Sequence, residues 1–242
     1  TPPTTVITAP SNGTRLKTLA TISGTSSSDT ASNAVDISIK NSSTGFWYNG
    51  TDFTSSVEIW LDATGTTSWS YTSPTWSTDN TYLIRSKATD TATNVEAPGV
   101  GNSFTYDTTV PASTITAYNN GDKINSLPTI SGTASSDTNT VALNIQNVTT
   151  NQKWNGSIWA DPPADPWINA TGTSSWTYSN PGWNTGQIYL IKTRATDLAN
   201  NVETVGAGRS FTYDALAPTS TITVPTNSSN LPTAPATISG TS

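Results

Sequence analysis

The sequence predicts an all-β chain made of two-sheet antiparallel β-sandwiches joined in a linear row. Three observations carry that prediction. Short β-branched segments alternate with period two, no 3.6-residue apolar stripe with helix caps is present, and a long internal repeat runs through the chain. The 242 residues include 48 Thr and 32 Ser, with 16 Gly and 15 Pro. That composition suits strands with one wet face and many turns.

The elements follow in chain order. Ala20-Thr21-Ile22-Ser23 is short and β-branched, and it ends in Gly and a Ser/Asp cluster. Val35, Ile37 and Ile39 alternate with Asp36, Ser38 and Lys40, the pattern of a half-buried strand. Tyr82, Ile84, Ser86 and Ala88 are predicted to face inward and Leu83, Arg85 and Lys87 outward. Phe104-Thr105-Tyr106-Asp107 closes the set. Strands at this spacing fit a sandwich whose edges Pro, Thr and charges protect.

The same set occurs again. Phe104 to Asp107 recurs as Phe211 to Asp214, Ala88-Thr89-Asp90 as Ala195-Thr196-Asp197, and Asn94-Val95-Glu96 as Asn201-Val202-Glu203. Trp60, Trp69, Tyr71, Trp76 and Tyr82 match Trp167, Trp176, Tyr178, Trp183 and Tyr189. Thr21 to Thr25 recurs as Thr129 to Thr133 and again as Thr237 to Thr241. The expected organisation is therefore one unit over 1–107, a second over 108–214 and the opening strands of a third over 215–242. Two strands cannot bury a core alone. The third unit is expected to continue covalently or to be completed by a neighbouring subunit.

Composition excludes several activities. With no Cys, Met or His, the chain has no imidazole base, no thiolate and no soft metal ligand. Ten scattered Lys/Arg against sixteen Asp/Glu argue against nucleic acid or an anionic membrane as partner. No apolar run has the length of a membrane span.

The chain resembles the bacterial Ig-like domains that occur in tandem in large surface proteins and adhesins. The likeness rests on Pro111 to Thr116, Ile130-Ser131-Gly132-Thr133, Trp176-Thr177-Tyr178, Tyr189 to Asp197, Asn201-Val202-Glu203 and the closing Phe211 to Asp214. It covers nearly the whole chain. Tyr82 and Tyr189 stand where Ig-type folds place a tyrosine corner. Ile22/Ile130 and Ile84/Ile191 replace the paired cysteines of antibody domains. The resemblance implies an extracellular stalk, spacer or fibre, with Ca²⁺ at the domain junctions.

The repeat also sorts the acids. Asp36, Asp62 and Asp79 have no carboxylate partner in the second copy, whereas Asp29, Asp90, Asp107 and Glu96 return as Asp137, Asp197, Asp214 and Glu203. In the strand order that the resemblance implies, Asp107, Asp137 and Asp197 converge at the junction of the two units, with Asn201 beside them. Asp29, Asp90 and Asn94 form the equivalent half-site at the start of the chain, and Asp214 is the linker acid at its end. Converging carboxylates call for a hard cation, and Ca²⁺ suits oxygen ligands. The alternative is that these residues only form Asx turns and loop caps.

Trp60, Trp69 and Trp76 recur, which predicts core or inter-strand packing. A hairpin turn rich in aromatics (Trp47, Tyr48, Trp154, Trp159) supports a second functional reading, a carbohydrate-binding adhesin module with a glycan ligand. A catalytic pair of carboxylates would need a cleft, and the expectation is a non-enzyme. The expected partners are neighbouring repeats of the same chain or like subunits, head to tail.

Overall fold

A computed structural model describes residues 1–27, 32–161, 165–227, 229–231, 233–234 and 237–242. The first unit holds β1 (Thr5–Ala9), β2 (Thr14–Leu16), β3 (Thr21–Ser26), β4 (Ser32–Asn41), β5 (Trp47–Tyr48), β6 (Phe53–Ser55), β7 (Leu61–Asp62), β8 (Thr64–Gly65), β9 (Ser68–Thr72), β10 (Asn80–Asp90) and β11 (Asn102–Tyr106). The second holds β12 (Ser113–Ile115), β13 (Asp122–Ile124), β14 (Thr129–Ala134), β15 (Thr138–Asn147), β16 (Gln152–Trp154), β17 (Trp159–Ala160), β18 (Ile168–Asn169), β19 (Thr171–Gly172), β20 (Ser175–Ser179), β21 (Gln187–Asp197) and β22 (Arg209–Tyr213). A final hairpin pairs β23 (Thr221–Val224) with β24 (Ser239–Thr241).

Each complete unit is a sandwich of two sheets. In the first, the orders are β1-β3-β9-β8 and β2-β11-β10-β4-β5-β6; in the second they are β12-β14-β20-β19 and β13-β22-β21-β15-β16-β17. Pairing is antiparallel except that β2 runs parallel to β11 and β13 parallel to β22. The opening segment of each unit thus serves both sheets. Pro10, which has no N–H to give a ladder, and Gly13 at φ 78° lie where the first unit's chain crosses over.

Alternation places the core. Along β10, Tyr82, Ile84, Ser86 and Ala88 are buried while Leu83, Arg85 and Lys87 are only half-buried. Opposite them Val35, Ile37 and Ile39 are also buried. Trp69 closes the gap between the sheets over Gly24, where an added Cβ would stand 2.2 Å from the indole Cζ2. Gly132 and Trp176 repeat that contact at the same distance. A larger residue at either glycine collides with indole and backbone together.

Beneath the tryptophans lies an aromatic triad. Trp76 meets Tyr82 edge-on at 4.7 Å and Phe104 at 5.1 Å, and Trp183 meets Tyr189 at 4.6 Å and Phe211 at 5.1 Å. Such pairs each add about 0.5–1.5 kcal/mol beyond the area they bury. The Tyr82 hydroxyl accepts from Ser77 N at 2.8 Å, and Tyr189 does the same with Asn184 N. Each tyrosine therefore pins the turn five residues upstream, as a tyrosine corner does. Ile22, Ile130, Ile84 and Ile191 are fully buried at the places that cysteines hold in antibody domains.

Candidate metal centre at the domain junction

Two loops of one design cap the start of each unit. After β21 the Asp197 carboxylate accepts from Ala199 N (2.8 Å), Asn201 N (2.8 Å) and the Asn201 side-chain amide (2.9 Å). After β10, Asp90 accepts from Ala92 N (2.9 Å), Asn94 N (2.8 Å) and the Asn94 amide (2.8 Å). These bonds wind five residues into a closed loop. The position before each Asn is left-handed, Thr93 at φ 64° and Asn200 at φ 65°. Asn tolerates that conformation, whereas a β-branched Thr is strained in it. Asp90 and Asp197, with Asn94 and Asn201, thus have a local structural role in both units.

At the junction more is added. Asp107 at the end of the first unit, Asp137 between β14 and β15, and Asp197 present carboxylate oxygens all within 4.8 Å of one another. Asp107 and Asp197 have no exposed surface, and Asp137 is half-buried. Asn201 donates to the Asp107 carbonyl at 2.9 Å as well as to Asp197. The linker is held from its own side too, since Asp107 accepts from Thr109 N at 3.0 Å.

Two cations of the first unit reach across. Arg15 Nη1 lies 3.1 Å from Asp107 Oδ2 and 3.4 Å from Asp137 Oδ2. Lys17 Nζ donates to the Asn200 carbonyl. Sequence reasoning overlooked Arg15. Its signal was nonetheless present, because Lys123 takes the same place in the second unit: Arg15 is paired with Thr105 and Lys123 with Thr212.

The electrostatics are unbalanced. Each pair of like charges at such distances repels by about 3–4 kcal/mol at an effective dielectric near 20. Three carboxylates against one guanidinium leave two negative charges. Burial pushes the Asp107 carboxyl above its ordinary range. The Asp197 and Asp79 charges add to that push, while the Thr109 N–H and Arg15 oppose it. Asp90, at the other end of the first unit, is held below the usual range by the side chain and backbone N–H of Asn94. A hard divalent cation fits the oxygen donors and the charge left over at the junction.

The other expected site residues lie apart from this cluster. Asp90 and Asn94 stand at the opposite pole of the first unit, and Asp29 lies outside the described residues. Asp214 is exposed at the far end of the second unit, beside a hollow lined by Lys123 and Asn125. The recurring glutamates have another task. Glu96 accepts from Thr5 N and Ala88 N, and Glu203 from Ser113 N and Ala195 N, so each ties the first strand of its unit to the long strand of the opposite sheet.

Not every recurring tryptophan is in the core. Trp60 and Trp167 are half-buried beneath cations, with Lys87 Nζ 4.5 Å above one ring and the Arg194 guanidinium 4.4 Å above the other. The outward side chains of β10 and β21 supply those charges, so these rings recur for a cation–π contact. Of the hairpin aromatics, Trp47 lies on the outer face with Lys40 Nζ 5.3 Å above its ring, and the other three are tied inward. Tyr48 is buried, Trp154 Nε1 donates to the Tyr178 hydroxyl at 2.8 Å, and Trp159 packs 5.4 Å from Tyr189.

No protein-family model and no curated protein matches the chain. Among solved structures it is similar to the fibronectin(III)-like modules of Clostridium thermocellum CbhA, at 15% identity and a TM-score of 0.42, over 88% of this chain and 95% of that one. It is also similar to the FN1–FN3 domains of chicken CNTN1, at 10% identity and a TM-score of 0.33, over 85% of this chain and 67% of that one. A third neighbour is the BSP domain of a biofilm-associated protein, at 15% identity and a TM-score of 0.26, with 88% of this chain and 30% of that one covered. The chain's own strands define it as a row of all-β sandwiches.

Proposed function

We propose that this chain is a non-enzymatic, extracellular structural segment of a stalk, adhesin or surface fibre whose domain junctions are stiffened by Ca²⁺. The observation that carries the reading is the junction itself, where Asp107, Asp137 and Asp197 gather within 4.8 Å and retain a net negative charge after Arg15 is counted. A linker of a few residues ending at Pro111 further restricts the angle between the units. The three carboxylates and the Asn201 side chain would hold the ion, which supplies charge neutralisation and oxygen bridging between the two units. Each unit has its own core, so the ion's effect falls on the junction angle rather than on folding. Repeats in this arrangement associate head to tail, within one chain or between like subunits.

Calorimetric titration tests the site. Ca²⁺ is expected to bind the chain with low-millimolar or tighter affinity. Asp137→Asn should weaken that binding by about tenfold or more, since it removes one of three charged ligands. Asp36→Asn, whose acid faces Lys87 and Asp62 on a strand, should leave it unchanged. Absence of binding to millimolar Ca²⁺ would leave the aspartates as loop formers alone.

A further inference from the structure

The outer face of the first unit's larger sheet carries a hollow of about 420 Å³ that crosses β10, β4 and β5. Its floor is Leu83 and Lys40, which stand opposite each other in register. Trp47, opposite Lys40 on β5, forms one wall, and Pro98 with Val100 forms the other. Arg85 holds that second wall in place. Its Nε donates to the Gly99 carbonyl at 3.0 Å and its Nη2 to the Pro98 carbonyl at 3.3 Å, while Nη1 donates to the Glu58 carboxylate at 2.8 and 2.9 Å. The Arg85 charge is thus neutralised within the protein. The Lys40 ammonium is different. Among the described residues it has no carboxylate within ion-pair distance, and it stands over the Trp47 ring at 5.3 Å.

The second unit shows that the fold does not need these side chains. Gln146 stands in the place of Lys40 and Lys153 in that of Trp47, paired across the same two strands. Lys153 forms an ion pair with Asp165, and Ala207 replaces Val100. Val100 is 91% exposed, so its side chain adds nothing to the core of its own unit. A half-buried indole, apolar walls and an ammonium free of any acid therefore gather where the repeat makes no structural demand.

We propose that this hollow binds a uronate residue of an acidic polysaccharide. The C–H face of the sugar packs on Trp47, Leu83 and Val100, and its carboxylate meets the Lys40 ammonium. Charge complementarity sets the sign of the ligand, since Lys40 is a cation with no internal counter-ion on a chain of net charge -6. Strand order sets its class. β10, β4 and β5 each have neighbours on both sides, so the hollow gives a peptide backbone no free ladder edge. A sugar ring needs none. The inference goes beyond the stalk reading and is independent of Ca²⁺. It narrows the glycan reading to Trp47, because Tyr48, Trp154 and Trp159 are tied inward.

Trigalacturonate is titrated into the 242-residue chain in chelator, with binding followed by amide chemical shifts. Saturable shifts are expected at Lys40, Trp47, Leu83, Gly99 and Val100. The methyl-esterified trimer keeps the ring faces and loses the charge, and it should bind about fivefold more weakly. Lys40→Gln, which installs the residue of the second unit, should erase that difference. Trp47→Ala should weaken both sugars by about tenfold. Because Lys40→Gln copies a residue that the same fold already holds, it tests the charge even where Trp47→Ala disturbs the sheet. Equal binding of the charged and esterified trimers by the native chain would overturn the proposal. So would shifts centred on Trp154 and Trp159, no binding at millimolar trimer, or the same shifts with tetraglutamate at the same concentration. Chelator throughout keeps these results separate from the junction metal.

Discussion

The loop from Asp90 to Asn94 and the loop from Asp197 to Asn201 are nearly identical inside and differ in what touches them. Both carboxylates accept the same three donors at 2.8–2.9 Å. Among the described residues, only the second loop receives the linker carbonyl of Asp107, the Lys17 ammonium on its Asn200 carbonyl and two further carboxylates. Recurrence of Asp and Asn is therefore explained by loop formation alone. Junction chemistry comes from what surrounds that loop: Asp107, Arg15 and Lys17 brought in by the first unit, and Asp137 from the second unit itself.

The largest difference between the loops should appear on removing the asparagine amides. Asn201→Ala leaves the buried Asp107 carbonyl and the Asp197 carboxylate each short of a donor, and about 1–3 kcal/mol of stability in the second unit should be lost. Asn94→Ala removes only the bond to Asp90 and should give a smaller loss confined to its own loop. Chemical denaturation of the two variants, with exchange protection of Thr109 and Asn201 amides, measures both. Equal losses would mean that the junction adds nothing to the loop.

A smaller effect should separate the two ends by pH. The Asp90 carboxyl is held low by its Asn94 bonds, so the stability it contributes is present above the unfolded pKa and fades as pH falls through the folded one. The Asp107 carboxyl is raised, chiefly by burial, and the sign reverses. Its contribution is greatest below the unfolded pKa and is lost as pH rises through the folded value. In metal-free solution, acidifying from neutrality toward about pH 4 should therefore tighten the junction, and only further acidification below about pH 4 should loosen the first loop. Hydrogen exchange corrected for intrinsic rates reads both at once. With Ca²⁺ present the junction should respond in the opposite direction, because protons then compete with the ion for Asp107.

Much of this was legible in the sequence because the repeat served as its own control. Residues that return in register, such as Gly24/Gly132, Tyr82/Tyr189 and Asp90/Asp197, return for geometry that every unit needs. The placement of Asp107, Asp137 and Asp197 followed from strand order. Other features were hidden by residue changes between copies. Arg15 becomes Lys123, so a shared cation is not seen as an identity, and Thr93 becomes Asn200 at one left-handed position. Trp60 and Trp167 recur as visibly as the core tryptophans, and only the cations standing over them reveal an outer face. The parallel pairing of β2 with β11 has no sequence signature, since three residues between turns carry no direction.

The central claim is that the second loop differs from the first by belonging to a cation-stiffened junction. Small-angle scattering of the 242-residue chain, with Ca²⁺ and then with chelator, tests it most directly. With Ca²⁺ the two sandwiches should hold one narrow range of angles. Chelation should broaden that range while both melting transitions stay in place, and Asp137→Asn should behave like the chelated chain at every Ca²⁺ concentration. A scattering curve unchanged by chelator in the native chain would contradict the claim and leave Arg15 and Lys17 as the cations that hold the junction.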